Sequence, residues 1–203
     1  MLKESSILLA GMLLASAIYA QDNSACNYDS ILKDVPSIEV IHPAKPLTMR
    51  AYIFPLGDYT VQAFSPGSWI SFNQEQAKKT LKTFSPSASD TKNILRVAVA
   101  PPSQLSGIAQ DSHLDISVVN AVLRSTDKSV TVAPLCSAHM PITFQNSLGA
   151  KWSFDSMFLI FDLRDVRKEL AAGKELEISV VVGTGKIHDF VLARKQLGVL
   201  GLH

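Results

Sequence analysis

Residues 157–193, which read MFLIFDLRDVRKELAAGKELEISVVVGTGKIHDFVLA, decide the fold class. The run 157–161 is uninterruptedly apolar, as expected for a strand that is buried on both faces. In residues 176–182 an apolar side chain stands at every second position, which predicts a strand with one side facing a core. Residues 183–186 then form a turn, and 187–193 return as the second strand of a hairpin. The region predicts antiparallel strands around a hydrophobic core.

A short helix is predicted between these strands. Asp162 is placed to cap it, because an aspartate side chain accepts hydrogen bonds from the first free N–H groups of a helix. Val166 and Leu170 would share its buried face, and Gly173 would end it. A second helix is predicted upstream, where Asn73 caps the segment and Ala77, Leu81 and Phe84 would lie on one face.

The rest of the chain consists of short runs rich in β-branched and aromatic residues, separated by proline and glycine. About nine strands with two short helices and closely spaced turns are typical of a mainly β protein, an antiparallel β-sandwich of the immunoglobulin-like type. The absence of regular βα alternation disfavours a doubly wound sheet. The remaining predicted strands are 37–41, 49–54, 59–64, 94–100, 115–124, 129–132 and 142–145.

The amino terminus has the pattern of a secretory signal peptide. Lys3 precedes an apolar run over residues 7–18, and small residues end it, with cleavage expected after Ala20 or Ala17. The run is shorter than the roughly 20 apolar residues that a spanning helix needs, so we expect no transmembrane anchor after cleavage. The predicted organisation is a signal peptide at 1–20, an N-terminal tether at 21–36 and one β-sandwich domain at 37–203. We expect a secreted or periplasmic protein.

The chain has two cysteines, Cys26 in the tether and Cys136 in the domain. An even cysteine count in an exported chain predicts a disulfide. Closing a loop of this length is worth about 4–5 kcal/mol in the chain-entropy model. We expect the bond to tie the tether to the domain, with Cys26 itself too close to the mature terminus to belong to the core.

Composition narrows the set of partners. The formal net charge is +1, so there is no electrostatic reason to expect binding to nucleic acid. Hydrophobic residues make up 47% of the chain and charged residues 18%, which favours a folded protein over a disordered one.

The segment Cys136-Ser137-Ala138-His139-Met140 resembles the Cys-x-x-His copper loop of the cupredoxins, which are also exported β-sandwich proteins. In that family one loop supplies a thiolate, an imidazole and an axial thioether to copper. The resemblance implies that Cys136, His139 and Met140 would be copper ligands. Copper binding and the disulfide are alternative roles for Cys136. With the disulfide, we expect no cofactor.

Four further residues are candidates for binding. Asp111, His113 and Asp115 would share one face of an extended segment, as a divalent-metal site or a carboxylate cluster requires. Trp69 follows a Ser-Pro-Gly-Ser segment that could hold its ring at a sheet edge, where an aromatic side chain anchors a ligand or partner. His188, on the face of Phe190, is expected to be partly buried and hydrogen-bonded.

No catalytic residue is predicted. A Gly-x-Ser-x-Gly nucleophile elbow is absent, and residues 183–186 lack the spacing of a phosphate-binding loop. We therefore expect an exported, non-enzymatic binding or accessory protein that recognises a protein or a cell-surface polymer. The alternatives are a metal-binding exported protein and a hydrolase whose residues meet only in the folded chain.

Overall fold

The computed structural model describes residues 26–53, 57–100, 118–145, 151–183 and 185–202. The predicted signal peptide lies outside these residues. In the described ranges no helix combines the length and apolar composition that a membrane span requires. The strands are β1 Leu47–Ile53, β2 Gly57–Phe64, β3 Ile94–Ala100, β4 Val118–Ser125, β5 Thr131–Val132, β6 Cys136–Gln145, β7 Lys151–Asp162, β8 Leu176–Val182 and β9 Ile187–Leu192; the helices are α1 Tyr28–Ile31, α2 Pro66–Lys79, a 3-10 turn Leu163–Val166, α3 Arg167–Ala171 and α4 Arg194–Val199.

The strands form two antiparallel sheets, which fits a β-sandwich. The five-stranded sheet has the order β1-β2-β3-β7-β6, and the four-stranded sheet has the order β5-β4-β8-β9. The expectation of a mainly β fold with few short helices is confirmed at this level. The predicted hairpin is also confirmed, since β8 pairs with β9 from Leu176↔Leu192 to Val181↔Ile187.

The core lies between the sheets and follows from the alternation of side chains along each strand. On β8, Ile178 and Val180 are fully buried, as are Val97 on β3 and Leu159 on β7. Strand β3 is buried on both faces, because a second apolar cluster covers its outer side.

That second cluster is built by the amino-terminal segment. Cys26, Leu32 and Val35 pack against outward-facing side chains of β3, β6 and β7. The Cys26–Cys136 disulfide forms, with a Cα–Cα distance of 5.9 Å, and it joins this segment to β6. The disulfide prediction is confirmed, but Cys26 is 4% exposed and belongs to this secondary core, so the expectation that it lies outside any core was wrong.

Two predicted elements differ from those observed. Helix α2 begins at Pro66, because Ser65 caps it by accepting the N–H of Ser68 and proline suits the first helical position. Asn73 therefore lies in the middle of α2 and not at its start. Residues 37–41 do not form a strand; the backbone there makes one isolated bridge, between Ser37 and Lys92.

Other local predictions are confirmed. Asp162 caps the 3-10 turn by accepting the N–H of Arg164 at 2.9 Å. Val166 is fully buried, and Gly173 ends α3 with a φ of +69°, a conformation that glycine adopts without strain. The predicted strand 142–145 is the end of the longer strand β6. Helix α4 was not predicted.

Candidate binding surface on the four-stranded sheet

Trp69, which the sequence suggests as an exposed anchor, is buried. It lies in α2 with 8% of its surface exposed, and its Nε1 donates to Asp90 Oδ1 at 2.8 Å. The guanidinium of Arg96 lies 5.0 Å from the centre of its ring, and the ring contacts Phe64 edge-on. The prediction that Trp69 presents its ring at a sheet edge is therefore wrong, because Ser65 and Pro66 start a helix that packs the ring onto the sheet.

Arg96 explains how α2 is held. It is 2% exposed, and its Nη2 donates to the carbonyl of Ser89 at 2.7 Å and lies 4.0 Å from Asp90 Oδ1. Asp90 also accepts the N–H of Ser87 at 2.8 Å. A buried guanidinium is retained only where hydrogen bonds and charge compensate its lost hydration. This cluster therefore fixes α2 and the loop near residue 90 on the outer face of the five-stranded sheet.

The residues of the cupredoxin-like segment are not arranged as copper ligands. Cys136 is bonded to Cys26, so its sulfur is not a free thiolate. His139 lies three positions further along the same strand, so its side chain projects from the opposite face of β6. The side chain of Met140 lies outside the described part. The disulfide and the strand geometry overturn the copper alternative.

The proposed carboxylate cluster of Asp111, His113 and Asp115 lies outside the described residues. Among the residues that are described, no group of three histidine, cysteine, aspartate or glutamate side chains could hold a metal ion. His188 faces the core side of β9, as predicted, and is partly buried. Its Nε2 is buried without a hydrogen-bond partner, so the expected hydrogen bond is not formed at that atom.

The structure brings together a different set of polar residues, on the outer face of the four-stranded sheet. Arg124 on β4 donates from Nε to Glu177 on β8, and from Nη2 to both carboxylate oxygens of Asp189 on β9 at 2.9 Å. Ser179 Oγ donates to Asp189 Oδ1 at 2.7 Å. These residues meet because Arg124 pairs with Glu177 across β4 and β8, and Ser179 pairs with Asp189 across β8 and β9.

The electrostatics of this cluster favour the charged form of Arg124. Burial alone would lower the pKa of Arg124, but its hydrogen bond to Glu177 and the charges of Asp189 and Glu177 outweigh that effect and raise the pKa. Two carboxylates face one guanidinium, so the cluster has one excess negative charge. Asp189 is 37% exposed, and a cation from outside the domain can reach it.

Aliphatic side chains border the cluster. Ile187 is 60% exposed and Val191 is 43% exposed, on either side of Asp189 along β9. Val122 and Val181, on the neighbouring strands, are half-buried. We call this surface the Arg124 face. It consists of the outward side chains of Val122, Arg124, Glu177, Ser179, Val181, Ile187, Asp189 and Val191.

Sequence reasoning did not find the Arg124 face, although one signal was present. Arg124, Glu177 and Asp189 each stand at a polar position within an otherwise apolar strand, which marks an outward-facing side. Their convergence depends on strand order and register, because Arg124 and Asp189 are 65 positions apart in the chain.

Comparisons with known proteins give structural neighbours only. No protein-family model and no curated protein matches the chain. A protein of unknown function from Burkholderia pseudomallei is similar over 78% of this chain and 81% of its own, at 14% identity and a TM-score of 0.38. A DUF4426 family protein from Pseudomonas aeruginosa is similar over 71% of this chain and 90% of its own, at 12% identity and a TM-score of 0.30. Both TM-scores are too low to assign a fold family or a function.

Proposed function

We propose that the chain is an exported, non-enzymatic binding domain that engages a partner protein through the Arg124 face. The observation that carries the proposal is an exposed aliphatic border around a charged cluster whose members are hydrogen-bonded to one another. Apolar area that is exposed on a rigid sheet gains free energy when a partner covers it. The charged centre is already neutralised in part within the domain, so covering it costs less than burying isolated charges would.

The composition of the face favours a protein over a cell-surface polymer. Its apolar residues are valine and isoleucine, which bury area against other aliphatic side chains but offer no flat ring for a sugar to stack on. The excess negative charge at Asp189 complements a lysine or arginine. The expected partner surface therefore has aliphatic residues around one basic side chain.

An immunoglobulin-like topology, the finer form of the fold prediction, is part of this proposal. The orders β2-β3-β7-β6 and β5-β4-β8-β9 correspond to strands A-B-E-D and C′-C-F-G of immunoglobulin domains, with β1 as an additional edge strand. In this correspondence the Arg124 face is the outer surface of the sheet that contains strands C, F and G.

Export is supported by the disulfide. Cys26 and Cys136 are both buried and bonded to each other, as is usual in proteins of oxidising compartments.

The absence of catalysis is supported by the positions of the polar groups on the Arg124 face. Ser179 donates directly to Asp189, whereas the neighbouring His188 faces the core side of β9, so no histidine lies between them as hydrolysis by a serine nucleophile requires.

The proposal can be tested by site-specific photo-crosslinking in the producing organism. A benzophenone amino acid at position 187 or 191 is expected to give a discrete protein adduct in the exported fraction. Val40 provides a matched control, because it is 63% exposed, close to the 60% of Ile187, but does not belong to the Arg124 face. Ile187→Glu should reduce the adduct formed at position 191, whereas Val40→Glu should not. Equal adducts at positions 40 and 187, or none at 187 and 191, would contradict the proposal.

A further inference from the structure

A groove of about 280 Å³ lies between α3 and α4, away from the Arg124 face. Its lining combines the carboxyl-terminal end of α3 with one side of α4 and the residues that follow it. The groove is separate from every contact on which the proposed binding function rests. Its lining residues are Leu170, Ala171, Ala172, Gly173, Lys174, Arg194, Leu197 and Leu202.

The floor of the groove is apolar and continuous with the core. Leu197 is 5% exposed and belongs to the main hydrophobic core. Leu170 and Leu202 are partly buried and pack against that core. An aliphatic chain that lies in the groove would therefore cover leucine side chains that water now reaches, which is favourable at about 25 cal/mol per Å².

Arg194 lies beside this floor and has no charged partner among the residues that the structure describes. Arg194 is exposed and forms neither a hydrogen bond nor an ion pair with any residue in the described ranges. Its guanidinium lies over Gly173, where a Cβ would come within 2.7 Å of Nη2. Because glycine has no Cβ, the guanidinium can occupy this position. Lys174, the other cation of the lining, is already paired with Asp127 at 2.7 Å.

Capping of α3 does not account for Arg194. Backbone groups already satisfy the end of this helix: the N–H of Gly173 donates to Leu170 O at 2.9 Å, and the N–H of Lys174 donates to Glu169 O at 2.9 Å. These two bonds and the positive φ of Gly173 are the features of a Schellman motif, which needs no side-chain cap. The charge of Arg194 is therefore available to a ligand.

We propose that this groove binds a small alkyl carboxylate. The guanidinium of Arg194, which has no partner in the described part of the chain, selects a negative charge, and its planar pair of donors matches a carboxylate. The leucine floor selects an aliphatic body, and the volume of about 280 Å³, just below the roughly 300–1,000 Å³ of most ligand pockets, limits that body to a medium-length chain.

The test is a titration of the mature, disulfide-bonded protein with octanoate below its micellar concentration, followed by methyl NMR. Shifts are expected at Leu170, Leu197 and Leu202. Arg194→Gln should weaken binding by about tenfold or more, because a charge-assisted pair is lost. Lys195→Gln removes a neighbouring charge that does not line the groove, so it should leave the affinity unchanged. Octylammonium, which has the same chain and the opposite charge, should not bind.

Several outcomes would overturn the proposal. These are no shifts with octanoate, shifts confined to residues outside the groove, equal binding of octylammonium, and equal loss of affinity in the Arg194 and Lys195 variants. Preference for a peptide with a free terminal carboxylate over octanoate would also overturn it, since the ligand would then be a polypeptide. Circular dichroism of both variants checks that the fold is retained. Crosslinking from positions 187 and 191 is unaffected by these results, so the two proposals can fail separately.

Discussion

The outer faces of the two sheets each hold an arginine, and the two arginines are stabilised in opposite ways. Arg96 on β3 is 2% exposed because α2 and the loop near residue 90 lie over it, and Trp69 covers its guanidinium. Arg124 on β4 is 17% exposed, and its partners Glu177 and Asp189 come from neighbouring strands of its own sheet. The charge of Arg96 is therefore compensated by segments that cover its sheet, whereas the charge of Arg124 is compensated by residues of its own sheet.

This difference indicates which face is available to a partner. The amino-terminal segment and α2 cover the five-stranded sheet closely; at Gly67 any Cβ would collide with the carbonyl oxygen of His42. On the four-stranded sheet, Ile187 and Val191 remain exposed around a charged cluster that needs no cover. Arg96 therefore stabilises a sheet face that other segments cover, whereas Arg124 is paired on a sheet face that a partner can still reach.

The largest expected effect comes from removing each arginine. Arg96→Met should cost about 3–5 kcal/mol of unfolding free energy, because Asp90 loses its buried partner and the Trp69 ring loses a stacked cation. Arg124→Met should cost about 1–3 kcal/mol: Asp189 is partly exposed to water and keeps the hydrogen bond from Ser179, whereas Glu177, which is 8% exposed, loses its charged partner. Urea unfolding of the two variants measures the difference. If Arg124→Met loses as much free energy of unfolding as Arg96→Met, or more, the stability of the two sheet faces does not differ as expected.

The disulfide should matter to one face only. Replacing Cys26 and Cys136 together by alanine is expected to cost about 2–5 kcal/mol, since the bond closes a long loop of the unfolded chain. Limited proteolysis should then cut near α1, because this segment is held to β6 by the bond. Chemical shifts of the Arg124 face should be retained. Proteolytic protection equal to that of the wild type would mean that apolar packing alone holds the covering segment.

The smallest effect concerns the β4–β5 turn at the edge of the four-stranded sheet. Lys174, Ser125 and Ser129 donate hydrogen bonds to Asp127 and hold the pKa of its carboxyl well below the ordinary value. The ionised Asp127 carboxyl therefore contributes its full share to the free energy of unfolding above the ordinary aspartate pKa of 3.8. This contribution is lost as the pH falls through the lower pKa of the folded state.

Melting temperatures of Asp127→Asn and the wild type should accordingly differ by a constant amount from pH 7 to about 4, and the difference should narrow below about pH 4. Asp58→Asn is the control, since Asp58 is exposed and has no hydrogen bond to any residue in the described ranges. A difference that grows on acidification would show that the carboxyl is not stabilised in its charged form.

Three local sequence patterns in the carboxyl-terminal third predicted the structure correctly. The alternation over residues 176–182, the cap at Asp162 and the stop at Gly173 are short-range features, and all three are observed. The predicted start of α2 at Asn73 is wrong although the signal for the true start is also local, because Ser65 followed by Pro66 is itself typical of a helix start.

The sequence by itself determined that strands dominate, that one side of β8 faces a core, and that Cys26 bonds with Cys136, because these follow from residue periodicity and from an even cysteine count. Only the tertiary structure decided that Trp69 is buried and that Arg124, Glu177 and Asp189 meet. The physical reason is that strand order and register, set by the packing of the whole core, determine which distant side chains become neighbours.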